Sequence, residues 1–251
     1  MTSVLRSTLL YARYSLLQTV RVPMSWVGNL VFPTLALCVF VLPQPDVVAD
    51  PAASRDAVLS LATFAVMTSS LFGLGLGVAQ NREHPWTRYT RTLPAPASAR
   101  ILSETISTGC VSVVAVLPVL LVGLVCTAAD FTPGELLGGY LALAVSALPF
   151  MMLGIAVGNA FPAKAAIAVV QILMFGLAFG GGLFLAPSGF PHWAADVSLA
   201  LPTRQAREFV LWAGAGAAFP GWLVLGLVGW TVVFFALALW LVRRDQSRGY
   251  A

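Results

Sequence analysis

The residues best suited to chemistry lie in one polar stretch, residues 80–100, between two long apolar segments. Four arginines and one acid occur in it: Arg82, Arg88, Arg91, Arg100 and Glu83. Because only 10% of the chain is charged, this stretch is the surface that we expect a soluble partner to contact. The alternative is an ordinary short loop, whose basic residues keep it on the cytoplasmic side of a membrane.

The order of residues in this stretch predicts a short helix on the inner membrane surface. Asn81 can cap that helix, and Pro85 suits its first turn. The proline-rich segment 93–96 ends it. Trp86 and Tyr89 are then expected at headgroup depth, with the arginines facing water or a partner.

The chain lacks the patterns of several enzyme classes. Its one lysine, Lys164, has no glycine-rich turn before it to bind phosphates, so we expect no ATP hydrolysis by this chain alone. His84 and His192 are predicted on opposite sides of the membrane, and no HExxH motif is present, which argues against a metalloprotease. The three cysteines lack the paired spacing of a metal site or disulfide framework. No catalytic, cofactor or metal site is therefore predicted.

Glu104 is the one acid near an apolar segment, at its predicted cytoplasmic start. It can pair with Arg100, one helical turn earlier. The alternative is a role in transport, since acids inside a membrane are usually functional. The sequence favours the ion pair.

Composition places these residues in a membrane protein. Of the 251 residues, 59% are hydrophobic, and the mean hydropathy is +0.87. Soluble domains have an apolar share of about 45–50%. The net charge of +4 is sorted by membrane side and forms no single basic patch, so no nucleic-acid partner is expected.

The apolar segments predict an all-α membrane protein with two parts. Residues 1–23 are predicted to form an N-terminal interfacial helix, because Arg6 and Arg13 share a face. The alternative is a plain positive tail. No cleavable signal peptide is predicted in either case. Residues 24–251 form a single transmembrane domain. Six segments are long enough to cross about 30 Å of hydrocarbon: 24–42, 57–79, 105–129, 136–158, 165–185 and 220–242.

The distribution of basic residues predicts that both termini are cytoplasmic. Eleven Lys and Arg residues fall on the side of the termini and three on the other, as the positive-inside rule requires. The outer connection 186–219 is too long and too apolar for a solvated loop. Its prolines divide it into two short helices, 192–201 and 203–213, with Thr203 as a helix cap and Gly214 as a stop. We predict a re-entrant helical hairpin, which is tolerated where buried in protein.

The fifth span carries the candidate substrate path. Gln171, Phe175 and Phe179 recur at helical spacing and could line the path of an amphiphile, or else pack internally or face lipid. Gly180 begins a run of three glycines, which predicts a hinge or a close helix crossing. Glycines spaced four apart occur in three spans and are interpreted as internal packing sites.

Together these features resemble the membrane subunit of a type-2 ABC exporter, over essentially the whole chain. The segment from Arg82-Glu83 through Arg91-Thr92-Leu93-Pro94 resembles the family's coupling segment. The segment from Pro191-His192-Trp193 to Arg207 resembles its outer re-entrant segment. One departure is Pro85, where such loops often have glycine.

The resemblance implies a permease for a hydrophobic or amphiphilic substrate, either a drug or a lipid, in the plasma membrane. It implies two separate ATPase subunits, which bind ATP and Mg, and a second permease that is either a copy or a related chain. The residues assigned to ATPase coupling are Arg82, Glu83, Trp86, Arg88, Tyr89, Arg91 and Leu93. The alternatives are a membrane scaffold or channel component without an ATPase, or a permease for a lipid-linked glycan.

Overall fold

The structure is almost wholly helical. As a computed structural model, it describes the backbone of residues 23–83, 97–219 and 221–248, and the side chains within 31–83, 104–219 and 221–244. These ranges contain no β-strand, which confirms the predicted all-α class. The helices are α1 (Pro23–Phe40), α2 (Pro45–Ala49), α3 (Pro51–Glu83), α4 (Ala97–Cys126), α5 (Pro133–Ala160), α6 (Ala163–Gly180), α7 (His192–Ala200), α8 (Pro202–Ala215) and α9 (Trp222–Arg248).

Five of the helices, α3, α4, α5, α6 and α9, are long and apolar enough to cross a membrane. They match the second to sixth predicted spans. Helix α1 has 18 residues, and its part with described side chains, Val31–Phe40, is apolar but short. The first span, the interfacial helix before it and the side on which the termini lie therefore stay predictions.

Proline and polar caps set the starts of the central helices. Asp50 accepts hydrogen bonds from the backbone N–H groups of Ala52 and Ala53, at 3.1 and 3.3 Å, directly before α3. Thr132 and Glu135 form a capping box at the start of α5. Each helix has proline at its first position, where the missing N–H costs no hydrogen bond. Local sequence thus fixes where α3 and α5 begin.

Helices α3 and α5 form the centre of the molecule. Within an apolar stretch of 18 residues in each helix, 83% of the residues are buried in α3 and 72% in α5. The corresponding shares are 39% in α4, 22% in α6 and 17% in α9. The two central helices approach closely at glycines. A Cβ atom on Gly154 would lie 2.9 Å from the Ser70 carbonyl oxygen, and one on Gly158 would lie 2.7 Å from that of Gly75. This confirms the interpretation of the Gly154 and Gly158 pair as an internal packing site.

Helix α3 contains a π-helical segment, Leu71–Leu76, where it passes these glycines. A π turn widens the helix locally and is found mostly as a single turn inside α-helices. Gly75 lies within this segment and packs against Val170 of α6 as well as Gly154 of α5. The distortion therefore lies where α3 contacts both α5 and α6.

The predicted boundaries were wrong at two places. Helix α3 continues to Glu83, so Asn81 lies inside it and caps no separate helix. Helix α6 ends at Gly180, five residues before the predicted end of the fifth span, because the chain turns at Gly181 and Gly182. Gly182 has a φ of +74°, which favours glycine. A Cβ on Gly181 would lie 2.2 Å from Thr203 Oγ1, so the predicted close crossing is confirmed.

The connection between α6 and α9 contains the two predicted short helices, α7 and α8. Its re-entrant position in a membrane stays a prediction. Thr203 is not the helix cap, since Pro202 occupies the first position and Leu201 precedes it. Gly214 does not stop the helix, which ends at Ala215 with Gly216 in the left-handed conformation (φ +67°).

The glycine contacts predict a specific pattern of stability. Gly158→Ala places a methyl group against the backbone of Gly75 and the side chain of Val78, and we expect this overpacking to lower the free energy of unfolding by about 1–3 kcal/mol. Gly176→Ala, also in a helix, meets nothing within 4 Å and serves as the matched control. The measurement is the thermal unfolding midpoint of each purified variant in detergent. Equal midpoints would contradict the packing described above.

Candidate functional site

Polar side chains gather at both ends of α3. The Asp56 cluster consists of Asp56, Ser60, Arg204, Arg207 and Glu208. The Glu83 cluster consists of Asn81, Arg82, Glu83 and Glu104. At 1.5 Å per residue, Asp56 and Glu83 are about 40 Å apart along the helix. This spacing is close to the thickness of a bilayer with its headgroups, about 40–45 Å, so the clusters fit its two interfaces.

Arg207 is the centre of the Asp56 cluster. Its side chain is only 4% exposed. Nε donates a hydrogen bond of 2.8 Å to Ser60 Oγ, Nη1 donates one of 2.8 Å to Glu208 Oε1, and Nη2 donates one to Asp56 Oδ1. Ser60 Oγ in turn donates to the same Asp56 oxygen at 3.3 Å. Each guanidinium nitrogen therefore has an acceptor, as a buried positive charge requires.

Two further ion pairs surround this centre. Arg204 contacts Glu208 at 3.0 Å, one helical turn away. Burial lowers the pKa of the Arg204 guanidinium, while the carboxylate of Glu208 opposes that shift. Arg55 of α3 pairs with Glu135 of α5 at 3.1 Å and lies over the ring of Phe131. The end of α3 is thus bonded to both α5 and α8.

Helix α8 presents these residues because it packs between α3, α5, α6 and α9. Thr203 Oγ1 donates to the Leu177 carbonyl of α6 at 2.7 Å. On another face, Gln205 Nε2 donates to the Leu199 carbonyl of α7 at 3.2 Å, and its side chain lies directly against Gly226 of α9. Gly214 approaches Gly139 of α5 in the last turns of α8. Successive residues of one helix therefore join four neighbouring helices.

The Glu83 cluster joins the other end of α3 to three helices. Arg82 Nη1 donates hydrogen bonds of 2.9 Å to the carbonyl oxygens of Gly158 and Asn159, at the carboxyl end of α5. Glu83 Oε1 accepts a hydrogen bond of 2.8 Å from the Ala163 N–H, at the amino end of α6. Asn81 Nδ2 donates to Glu104 of α4 at 2.8 Å. Both charges also suit the dipoles of the helix ends they contact.

The structure describes two of the seven residues predicted to couple to an ATPase. Arg82 and Glu83 lie at the end of α3 and bond to this chain's own helices. The other five, Trp86, Arg88, Tyr89, Arg91 and Leu93, lie outside the described residues, as does the side chain of Arg100. Whether any of the seven contacts an ATPase stays a prediction.

The predicted path residues lie beside a cluster of aromatic rings. The phenylalanine cluster consists of Phe32, Phe40, Phe64, Phe175, Phe179 and Phe184, with ring centroids 4.7–6.1 Å apart. Phe175 and Phe179 are 40% and 46% exposed, so both pack internally on one side and remain open on the other. Gln171 is exposed one turn before Phe175. Gly180 makes a close approach to Leu201.

The sequence did not single out Asp56, Ser60 or Arg207 as a site. One local signal is the i, i+4 spacing of Asp56 and Ser60 on one face of a helix. Another is the set of charged residues in the apolar connection 186–219, which topology counting treats only as outer charges. The pairing itself joins residues 151 positions apart. Within the described residues, no group of His, Cys, Asp or Glu could hold a metal ion.

Comparison with known proteins shows that the sequence is similar to transporters. Residues 6–215 match the family model described as ABC-2 type transporter. The chain is also 24% identical over 190 residues to the protein named "Putative transport permease YvfS" from Bacillus subtilis (strain 168). That similarity covers 75% of this chain and 77% of the relative.

The buried position of Arg207 predicts a large effect of its removal. We expect Arg207→Gln to lower the free energy of unfolding by about 2–3 kcal/mol. Removing one partner of a fully buried ion pair costs about 3–5 kcal/mol, and the cost is smaller here because the Asp56 side chain is 37% exposed. The control is Arg55→Gln, which removes the ion pair with Glu135, whose two side chains are each about a quarter exposed. This substitution should lower the free energy of unfolding by at most about 1 kcal/mol.

The measurement is the thermal unfolding midpoint, with Asp56→Asn and the double variant completing a double-mutant cycle. A coupling energy near zero between Asp56 and Arg207 would contradict the structural role of this pair.

Proposed function

Because the chain belongs to the ABC-2 type transporter family, we propose that it is the permease subunit of an ATP-driven exporter. Members of this family associate with ABC ATPase subunits. The observation that carries the proposal is the family match over residues 6–215, which includes α3 and the segment 84–96 that follows it. The sequence contributes no phosphate-binding motif, so ATP and Mg would be bound by the partner subunits.

In the proposed mechanism, the segment between α3 and α4 contacts the ATPase. Trp86, Tyr89 and Leu93 would enter a groove of the ATPase, and Arg88 and Arg91 would form ion pairs at its rim, where charges set orientation more than affinity. Arg82 and Glu83 have a supporting role. Their hydrogen bonds to the ends of α5 and α6 would pass a displacement of this segment to α3, α5 and α6 together.

The opposite end of α3 would receive that displacement. There the ion pair of Asp56 with Arg207 joins α3 to α8, and α8 contacts α5, α6 and α9. A movement driven by ATP at the Glu83 cluster would therefore change how α8 closes the Asp56 end. Alternating exposure of a central path requires such a link between the two ends.

The proposed substrate is hydrophobic or amphiphilic, either drug-like or lipid-like. Exposed aromatic residues on α6, Phe175 and Phe179, support an apolar path. Two connections at the Asp56 end, residues 41–50 and 127–132, are short, and the third, 181–219, contains α7 and α8, which pack against the other helices. Among the described residues, no separate domain at this end receives a polymer. This supports release of the substrate directly to the outside or to the outer leaflet.

The proposed assembly has two permeases and two ATPase subunits in the plasma membrane. Its second permease would be a copy of this chain or a related one, and both termini of each permease would be cytoplasmic. The exposed faces of α4, α6 and α9 leave room for lipids and for the second permease.

The test co-expresses this chain with the ABC ATPase encoded beside it and purifies the complex by a tag on this chain. We expect the ATPase to co-purify with the wild type. The variant Trp86→Ala, Arg88→Ala and Arg91→Ala should lose most of the bound ATPase, or keep it without vanadate-sensitive turnover.

A matched control removes the same residue types from the end of α9. The control variant combines Trp240→Ala, Arg243→Ala and Arg244→Ala. It should leave ATPase binding within about twofold of the wild type, because charged residues outside the centre of an interface contribute little to affinity. Equal ATPase recovery and turnover in both triple variants would overturn the coupling role of segment 84–96. A wild type that recovers no ATPase would overturn the proposal of an ATP-driven exporter.

A further inference from the structure

A small cavity opens beside the Asp56 cluster, where the ends of α1, α2 and α3 meet the turn after α6. Its volume is about 130 Å³. Polar groups come from Gln44, Asp56, Ser60 and Arg207, and apolar walls come from Phe40 and Phe184. The cavity thus combines charged groups with aromatic rings in a space the size of a small ligand headgroup.

The accessible charge in this cavity is negative. Asp56 and Arg207 both line it, but the Asp56 side chain is 37% exposed and that of Arg207 only 4%. Arg207 and Ser60 both bond to Oδ1 of Asp56. Within the described part of the chain, Oδ2 of Asp56 has no hydrogen-bond partner. A ligand can therefore reach this carboxylate oxygen, whereas the guanidinium is already enclosed.

The surroundings of the cavity strengthen this preference. Asp46 and Asp50 are exposed on the short segment that covers it. The nearby arginines are occupied, since Arg55 pairs with Glu135 and Arg204 with Glu208. Among the described residues near the cavity, Asp46 and Asp50 are thus exposed, whereas Arg55 is 25% exposed, Arg204 is 17% exposed, and each arginine is paired with an acid. This arrangement favours a cationic ligand over an anionic one.

The aromatic walls suit the same kind of ligand. Both side chains line the cavity, with Phe40 37% and Phe184 8% exposed, and their rings are stacked with centroids 5.1 Å apart. Aromatic rings attract ammonium groups, and Phe40 offers the larger accessible surface. From Phe184 the phenylalanine cluster continues to Phe179, whose ring centroid is 5.0 Å away, and then along the exposed face of α6 to Phe175. An apolar chain can extend from the cavity along this face.

We propose that this cavity binds the ammonium headgroup of an amphiphile, with Asp56 and the rings of Phe40 and Phe184 as its contacts. The apolar tail lies along Phe179 and Phe175. As a statement about the transported substrate, this rests on the proposed export function. As a statement about binding, it concerns this chain alone and is tested without an ATPase.

The test measures binding of tritiated decyltrimethylammonium to the purified full chain in a neutral maltoside detergent, by scintillation proximity. Decyl sulfate, which has the same tail and the opposite charge, is the competitor. We expect Asp56→Asn to weaken binding about tenfold, as loss of a charge-assisted contact does. Asp130→Asn removes an exposed acid outside the cavity and should change binding by less than about twofold.

A second pair of variants distinguishes loss of the binding site from misfolding of the chain. Phe184→Leu keeps an apolar side chain but removes the ring, and should weaken binding about threefold. Arg55→Gln removes a nearby cation that does not line the cavity and should leave ammonium binding equal or stronger, provided that the variant elutes as a monodisperse peak. If it does not, Asp56→Asn and Phe184→Leu decide the question.

Three results would overturn the proposal. One is equal binding by Asp56→Asn and the wild type. Another is no effect of Phe184→Leu. The third is tighter binding of decyl sulfate that disappears in Arg207→Gln, which would make the cavity an anion site. None of these results bears on recovery of the ATPase, so failure of this proposal is distinguishable from failure of the export function.

The source of the ammonium group is resolved by a second arm in lipid nanodiscs. Competition by phosphatidylethanolamine, compared with phosphatidylglycerol alone, would identify a membrane lipid as the ligand. Binding that is insensitive to phosphatidylethanolamine would identify a free cationic amphiphile. Both results retain the same site and the same chemistry.

Discussion

The position of α8 depends on one buried guanidinium. A positive charge removed from water is costly unless its N–H groups have acceptors, and those of Arg207 are on α3 and on α8 itself. A shift of α8 by one turn, about 5.4 Å, would separate Arg207 from Asp56 and Ser60. This contact thereby sets the register in which the other residues of α8 meet α5, α6 and α9.

Close packing at small residues holds the helices together in addition to the ion pairs. Lipid tails are as apolar as leucine, so helices in a membrane associate through close packing and hydrogen bonds. Glycines provide that packing where α5 meets α3, at Gly154 and Gly158, and where it meets α8, at Gly139 and Gly214. Helices α3, α5 and α8 therefore form one tightly joined unit, and α4, α6 and α9 surround it with largely exposed faces.

The sequence predicted the features that local chemistry determines. Hydrophobic length located five helices long enough to span a membrane, and prolines located α7 and α8. Errors occurred where a distant contact or a neighbouring residue decided the outcome. Pro202 displaced Thr203 from the cap, and Thr203 instead bonds to Leu177. Pairing across 151 residues, as between Asp56 and Arg207, is not determined by the spacing within either segment.

The π-helical segment of α3 lies between the two clusters and therefore bears on the proposed link between them. A helix held at both ends could absorb a displacement at such a distortion, which would uncouple Glu83 from Asp56. Here α5 prevents this, because Gly154 and Gly158 lie directly against the backbone of residues 70–75. Arg82 also bonds to the end of α5. A displacement of the Glu83 cluster would therefore move α3 and α5 together, and the proposed coupling would depend on the glycine contacts as well as on the charges.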